Sequence, residues 1–254
     1  MSGLVRLVQR DLRVMNRSLL VIQLVLPLFL LFVASFPLTA LIEPFRLGGE
    51  AVTYQRFLAS GLIAQTTMTG ALIGGTLLFT DRRHGMFEQI LVGPYRRGEY
   101  AASKVVSSVF VGLGGAAIVA VFGLPFTFGV ALAAGGLVLA LAAVLAIAFL
   151  FAGVSVILAS RFRSLEAFEG TFNLLFILLT FVSSALYPLD AVPPLLRGIM
   201  LLNPLTYAVD LVRFGVLGLG TATLVWEAVA LGAESVLVFL AAIRAFGRIR
   251  VGES

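Results

Sequence analysis

The ionisable positions of this chain are few and bunched, and the intervals between them set the architecture. Residues 18–42, 57–80 and 170–189 contain no ionisable side chain. A charge at mid-bilayer costs several kcal/mol, and about 20 apolar residues cross about 30 Å of hydrocarbon, so each interval reads as a membrane-spanning helix. The charge-free interval 105–160 is 56 residues long, enough for two spans and a tight hairpin. Pro125, Gly129, Gly135 and Gly136 cluster at its middle and mark the turn, giving spans at about 105–128 and 136–160. A last apolar interval, about 223–245, is interrupted by Glu227 and Glu234. The pattern predicts an all-α membrane protein with six transmembrane helices, forming a single transmembrane domain over residues 1–254.

Composition narrows the class. Hydrophobic residues make up 60% of the 254 residues and charged residues 12%, against about 45–50% and about 25% in soluble domains. That excludes an ordinary soluble enzyme and a disordered chain. With no cysteine, disulfides and thiolate metal sites are excluded too. The net charge of +5 reads as loops facing anionic lipid, so the expected partner is a lipid bilayer and no nucleic acid. With the N-terminus inside, 14 of the 18 Lys and Arg fall on the inner side and only Arg46, Arg56, Arg197 and Arg213 outside. Both termini are therefore expected in the cytoplasm of a multi-pass protein, in the plasma (inner) membrane of a bacterium or archaeon. The first apolar stretch is too long for a cleaved signal peptide and lacks an Ala-x-Ala site, so it is expected to stay as an anchor.

Three segments are not spans. In residues 3–17, Leu4, Val8, Leu12 and Met15 recur at helical spacing opposite Arg6, Arg10, Arg13 and Arg17. This predicts an N-terminal interfacial helix with its arginines among headgroups, serving either as a positive-inside anchor or as a lever into the first span. Between residues 81 and 104, Met86, Phe87, Ile90 and Leu91 give a short helix one greasy face, flanked by Arg82, Arg83, Arg96 and Arg97 and ended by Pro94. That is either a basic surface loop or a knob for docking a soluble protein. Residues 190–222, with Pro193, Pro194, Asn203, Pro204 and repeated glycines, predict a re-entrant outer segment of short helices packed against the spans.

These segments carry a resemblance. The Arg82, Gly85, Glu88, Gln89, Leu91 series, followed by Pro94, Arg97, Glu99 and Lys104, resembles the loop between the second and third spans of ABC-2 transporter permeases. The run from Leu202 to Arg213, with Asn203, Pro204, Asp210 and Arg213, is similar to that family's signature before the last span. Gly93 and Ser103 depart from its usual residues. The resemblance covers essentially the whole chain and implies the membrane-spanning permease subunit of an ATP-driven ABC exporter. It further implies a dimer, with a second copy or a close paralogue, bound to two copies of an ABC ATPase subunit. The 81–104 helix would be the cytoplasmic coupling helix, coupling through Arg82, Arg83, Met86, Phe87, Glu88, Ile90 and Leu91. Implied cargo ranges over amphipathic drugs, lipids and lipid-linked glycans.

The chain itself contains no Gly-x(4)-Gly-Lys-Ser/Thr loop and one histidine, His84, which argues against catalysis here. No cofactor is expected in this chain, ATP and Mg belonging to the partner ATPase, and no metal. On the second span Gln65, Thr69, Thr76 and Thr80 fall within roughly 60° of one face, and on the fifth Asn173, Thr180 and Ser184 within roughly 40°. These polar stripes either line a substrate path or serve as interhelical glue. Gly70 and Gly74 lie on the opposite face and suit close packing. Glu234, an acid within the last span, keeps a rival reading open: a proton-coupled secondary transporter. A membrane enzyme is disfavoured, because no cluster of carboxylates could hold a metal.

Overall fold

The computed structural model describes residues 3–15, 17–47, 50–83, 97–127, 134–162, 164–220 and 223–247. Helix α1 (Gly3–Val14) precedes a first span made of α2 (Arg17–Phe29), a π-helical turn (Leu30–Ala34) and α3 (Ser35–Leu41). A hairpin follows, β1 (Phe45–Leu47) and β2 (Glu50–Val52), paired antiparallel with Arg46 opposite Ala51. The second span is α4 (Tyr54–Ala71) continued by α5 (Ile73–Arg83). The 56-residue apolar interval resolves into α6 (Arg97–Thr127) and α7 (Ala134–Arg161). After them come α8 (Leu165–Phe181), α9 (Pro194–Met200), α10 (Pro204–Leu217) and α11 (Leu224–Gly247).

Five stretches are long and apolar enough to cross a membrane: Leu20–Leu41, Tyr54–Asp81, Gly98–Gly123, Gly135–Arg161 and Leu224–Ala245. The expected span at 170–189 is shorter and displaced: α8 starts at Leu165, where the Ser164 hydroxyl accepts the Ala167 N–H at 3.1 Å, and stops at Phe181. Its end is capped from outside: Asn203 Nδ2 donates to the carbonyls of Leu179 (2.8 Å) and Val182 (2.5 Å), satisfying acceptors that the helix end leaves free. The helices α9 and α10 meet at 84° and would count as a sixth crossing if taken as one broken span. The β-hairpin departs from the all-α expectation; three residues per strand are too few to give a periodic signal.

The core is built around α4, buried at every position from Phe57 to Ala71 except Thr69. Its neighbour α6 comes close because both helices present glycine: a Cβ on Gly70 would lie 2.7 Å from Gly112 Cα, and one on Gly112 would lie 2.7 Å from the Thr67 carbonyl. Gly74, one turn on from Gly70, faces Ser108 and the Lys104 carbonyl. At the α4–α5 break, Ser155 of α7 donates to the Leu72 carbonyl at 2.5 Å and accepts the Gly75 N–H at 2.7 Å, so groups the break frees from the helix are satisfied from outside. Around this core the first span, α8 and α11 turn apolar side chains outward, among them Val21, Ile22, Val25, Leu174, Ile177, Val225 and Trp226. A surface of that kind suits hydrocarbon, not water.

Candidate functional site: an apolar cavity and two buried ion networks

At the end of the bundle that carries α1, four charges share a buried cluster. Lys104, the chain's single lysine, is 1% exposed on α6. Its Nζ lies 2.7 Å from Asp11 Oδ1 and 2.6 Å from Asp81 Oδ2. Arg10 of α1 also pairs with Asp81, and Tyr100 donates its hydroxyl to the Asp81 carboxylate at 2.7 Å. Two carboxylates against two cations leave the cluster neutral, which a low-dielectric site requires. Burial pushes the Asp11 carboxyl above the ordinary carboxylate range, against the pull of Lys104. The cluster also sets which face of α1 docks. Leu7, Asp11 and Met15 are buried, whereas Leu12, placed on the apolar face by periodicity, is exposed. Arg6 and Arg13 point away from the bundle and are exposed.

The opposite end, marked by the β-hairpin, holds the second network. Asn203 caps α10 by accepting the Leu205 N–H at 2.9 Å, with Pro204 in the first turn, where its missing N–H costs nothing. Two turns further along α10, Asp210 Oδ1 accepts from Ser184 (2.9 Å) and from Arg213 Nη1 (2.9 Å). Arg213, 3% exposed, donates also to the Ser184 carbonyl (2.8 Å) and to Ser60 (3.3 Å), and its guanidinium lies 3.9 Å over the Phe57 ring. The second span, the segment after α8 and α10 are thereby fastened together. Beside them Val52 of the hairpin packs with Leu217 and Leu219.

Beside the second network, in the half of the bundle that carries the hairpin, lies a cavity of about 220 Å³. Leu26, Leu30, Ala34 and Leu38 of the first span form one wall, α4 supplies Leu58 and Gln65, and α8 supplies Phe176 and Thr180. Its lining is apolar apart from a few polar groups. Gln65 Oε1 and Thr180 Oγ1 are buried and have no hydrogen-bond partner among the described residues. A buried polar atom left without a partner is costly, so this is where a ligand's polar group is best received.

Of the residues expected along a substrate path, the structure brings Gln65 and Thr180 together in this cavity. Thr69 instead donates to the Gln65 carbonyl at 3.0 Å, and Thr80 to the Thr76 carbonyl at 2.9 Å. Ser184 belongs to the Asp210–Arg213 network, and Asn173 is exposed on α8. Glu234 is half-buried on α11, its Oε2 without a partner among the described residues. The expected coupling residues Met86, Phe87, Glu88, Ile90 and Leu91 lie outside the described residues, as do the side chains of Arg17, Arg82 and Arg83. Periodicity missed Asp11 and Asp81. Their one signal was an acid on the otherwise apolar face of α1 and another at the inner end of the second span. Among the described residues no group of three or more metal-ligating side chains occurs.

A bundle of long apolar helices, with a mostly apolar cavity on one side and a buried ion network at each end, is the build of a multi-pass membrane protein. The sequence profile of the ABC-2 type transporters matches residues 3–217, and the chain belongs to that family. Curated relatives agree. The protein ycf38 of Porphyra purpurea, named as a transport permease, is 31% identical over 183 residues, covering 64% of this chain and 56% of the relative. Its namesake in Cyanophora paradoxa is 31% identical over 179 residues, covering 67% and 59%. Nodulation protein J of Rhizobium leguminosarum bv. viciae is 27% identical over 176 residues, covering 66% and 65%. The match to the two ycf38 proteins thus spans a little over half of their length.

Proposed function

We propose that the chain is the membrane-spanning permease subunit of an ATP-driven ABC exporter and moves an amphipathic substrate, a drug, lipid or lipid-linked glycan, out of the cytoplasm. Six crossings, with α8 as the fifth, and both termini in the cytoplasm go with this reading. So do a dimer of this chain or of the chain with a paralogue, and two ATPase subunits holding ATP and Mg. The coupling contact would come from residues 82–91. The observation that carries the proposal is the cavity between the first span, α4 and α8, whose apolar wall holds Gln65 Oε1 and Thr180 Oγ1 without a partner among the described residues. An amphiphile satisfies both features at once, its chain on the leucines and its polar group on the amide and hydroxyl.

The test is a pull-down of the tagged chain from gently solubilised host membranes, with ATPase activity assayed on the eluate. A stoichiometric ATPase with vanadate-sensitive turnover is expected. Stimulation of that turnover by an amphipathic rhodamine dye should need about tenfold more dye in Gln65→Leu/Thr180→Val, the loss of two hydrogen bonds of about 1 kcal/mol each being partly offset by the added apolar surface. A chain that emerges without any ATPase from several mild detergents would overturn the proposal in favour of proton-coupled transport, with Glu234→Gln the variant to examine next.

A further inference from the structure

We propose that the first span is a hinged gate over the cavity: its α2 half is moved by the Lys104 network through α1, while its α3 half stays fixed on α4. The source of the movement rests on the exporter reading, but the hinge and the handle are features of the chain alone.

The two halves are anchored differently. Asp11 and Arg10 tie α1 to Lys104 at the start of α6 and to Asp81 at the end of the second span. Only residues 15 and 16 separate α1 from α2, and Met15 is itself buried against Leu77 of α5 and Val111 of α6. A shift at the base of the second and third spans is therefore handed to α2. The α3 half is held at its first residue, beside the π turn, where Gln55 Nε2 of α4 donates to Ser35 Oγ at 3.3 Å; Ser35 donates in turn to the Leu31 carbonyl at 2.5 Å within the span.

Between the anchors the helix is built to bend. Pro27 and Pro37 each lack the N–H that an α-helix needs at that position. The turn between them, Leu30–Ala34, is π-helical, a geometry that interrupts the regular ladder and marks functional sites. It also explains the wall. Leu26, Leu30, Ala34 and Leu38 are spaced by four, so on a regular α-helix they would drift by about 40° per step and about 120° in all. The wide turn takes up that drift and keeps all four on the cavity. Straightening it would turn Leu26 and Leu38 away from each other and open the wall. Among the described residues the outer face of this span is uncovered, with Val21, Val25, Phe29, Val33 and Phe36 exposed, so an outward swing of α2 has only its inner-face contacts to part, Gln23 and Leu24 against Gly70 of α4 and Gly115 of α6.

The absence of cysteine makes the test direct. Spin labels on Val25→Cys in α2 or Leu41→Cys in α3, each paired with Phe110→Cys on α6, report the two halves separately by pulsed electron resonance. In proteoliposomes carrying the chain with its ATPase, the Val25–Phe110 distance is expected to shift between the nucleotide-free and ATP–vanadate states and the Leu41–Phe110 distance to stay. The Arg10→Gln/Asp11→Asn variant, which leaves Lys104 paired with Asp81, should lose the first shift while still binding the ATPase. Equal shifts of both halves would overturn the hinge, and a shift that survives in the variant would overturn the handle. If no ATPase associates, the exporter reading has failed and the gate is judged on the chain alone. The Val25–Phe110 distribution should then be broader than the Leu41–Phe110 one, and broader again in the variant, whereas equal widths would overturn the proposal.

Discussion

Arg213 satisfies its guanidinium with the Asp210 carboxylate, the Ser184 carbonyl, the Ser60 hydroxyl and the face of Phe57. Removing the cation leaves Asp210 buried with Ser184 still donating to it, and stranding one member of a buried pair costs about 3–5 kcal/mol. Arg213→Leu should therefore unfold at a clearly lower temperature than the parent in detergent. Phe57→Ala tests the ring by itself: it removes a cation–π contact of about 2 kcal/mol together with a fully buried side chain, and a variant as stable as the parent would show that the ring contributes nothing. At this scale the sequence was legible in part. Asn203, Pro204, Asp210 and Arg213 stood out as a motif, but their work, a helix cap and a charge pair closed by Ser60 of a span 153 residues away, needs the third dimension. Asp11 was harder still. The wheel of α1 shows it beside Leu4 and Met15, and nothing in the local sequence indicates that its partner is a lysine 93 residues on.

Helices, by contrast, were readable from the intervals between charges, since that pattern reflects the cost of placing an ion in hydrocarbon. The split of the 56-residue interval into α6 and α7 followed from length alone. The Gly70 and Gly74 spacing likewise foretold a close neighbour, which is α6. Here the consequence is local and graded. Gly70→Ala places a methyl within 2.7 Å of the Gly112 backbone and should cost about 1–3 kcal/mol. Gly114→Ala on the same α6 meets nothing within 4 Å and should be neutral or stabilising by about 1 kcal/mol through helix propensity. Comparing the two variants' thermal unfolding separates packing from propensity, and equal losses in both would contradict the close approach. What the intervals could not reveal were the π turn and the β-hairpin. Both depend on what packs beside them, and neither changes the hydropathy of its segment.

Across the whole molecule the decisive element is α8. With 17 residues it measures about 25 Å, short of the hydrocarbon thickness. Yet it carries the chain from the end bearing α1 to the end bearing the hairpin, where Ser184 joins Arg213 and Phe57. On the proposed topology α8 is a crossing, and it would fix the side of everything beyond it. Cysteines placed at Leu12 in α1 and at Leu195 in α9, both exposed, should react with a membrane-impermeant maleimide from opposite faces, Leu12→Cys in inside-out vesicles and Leu195→Cys in right-side-out ones. Labelling of both from one face would mean that α8 does not cross.

The position of Lys104 has one more consequence, chemical in kind. It is the only side-chain primary amine in 254 residues, and it is shut beneath α1 between two carboxylates. An acylating reagent added to the folded protein finds no lysine to modify, and each departure of α1 uncovers one. The rate at which that single amine is acylated is thus a clock for the undocking of α1, built into the protein without any added label.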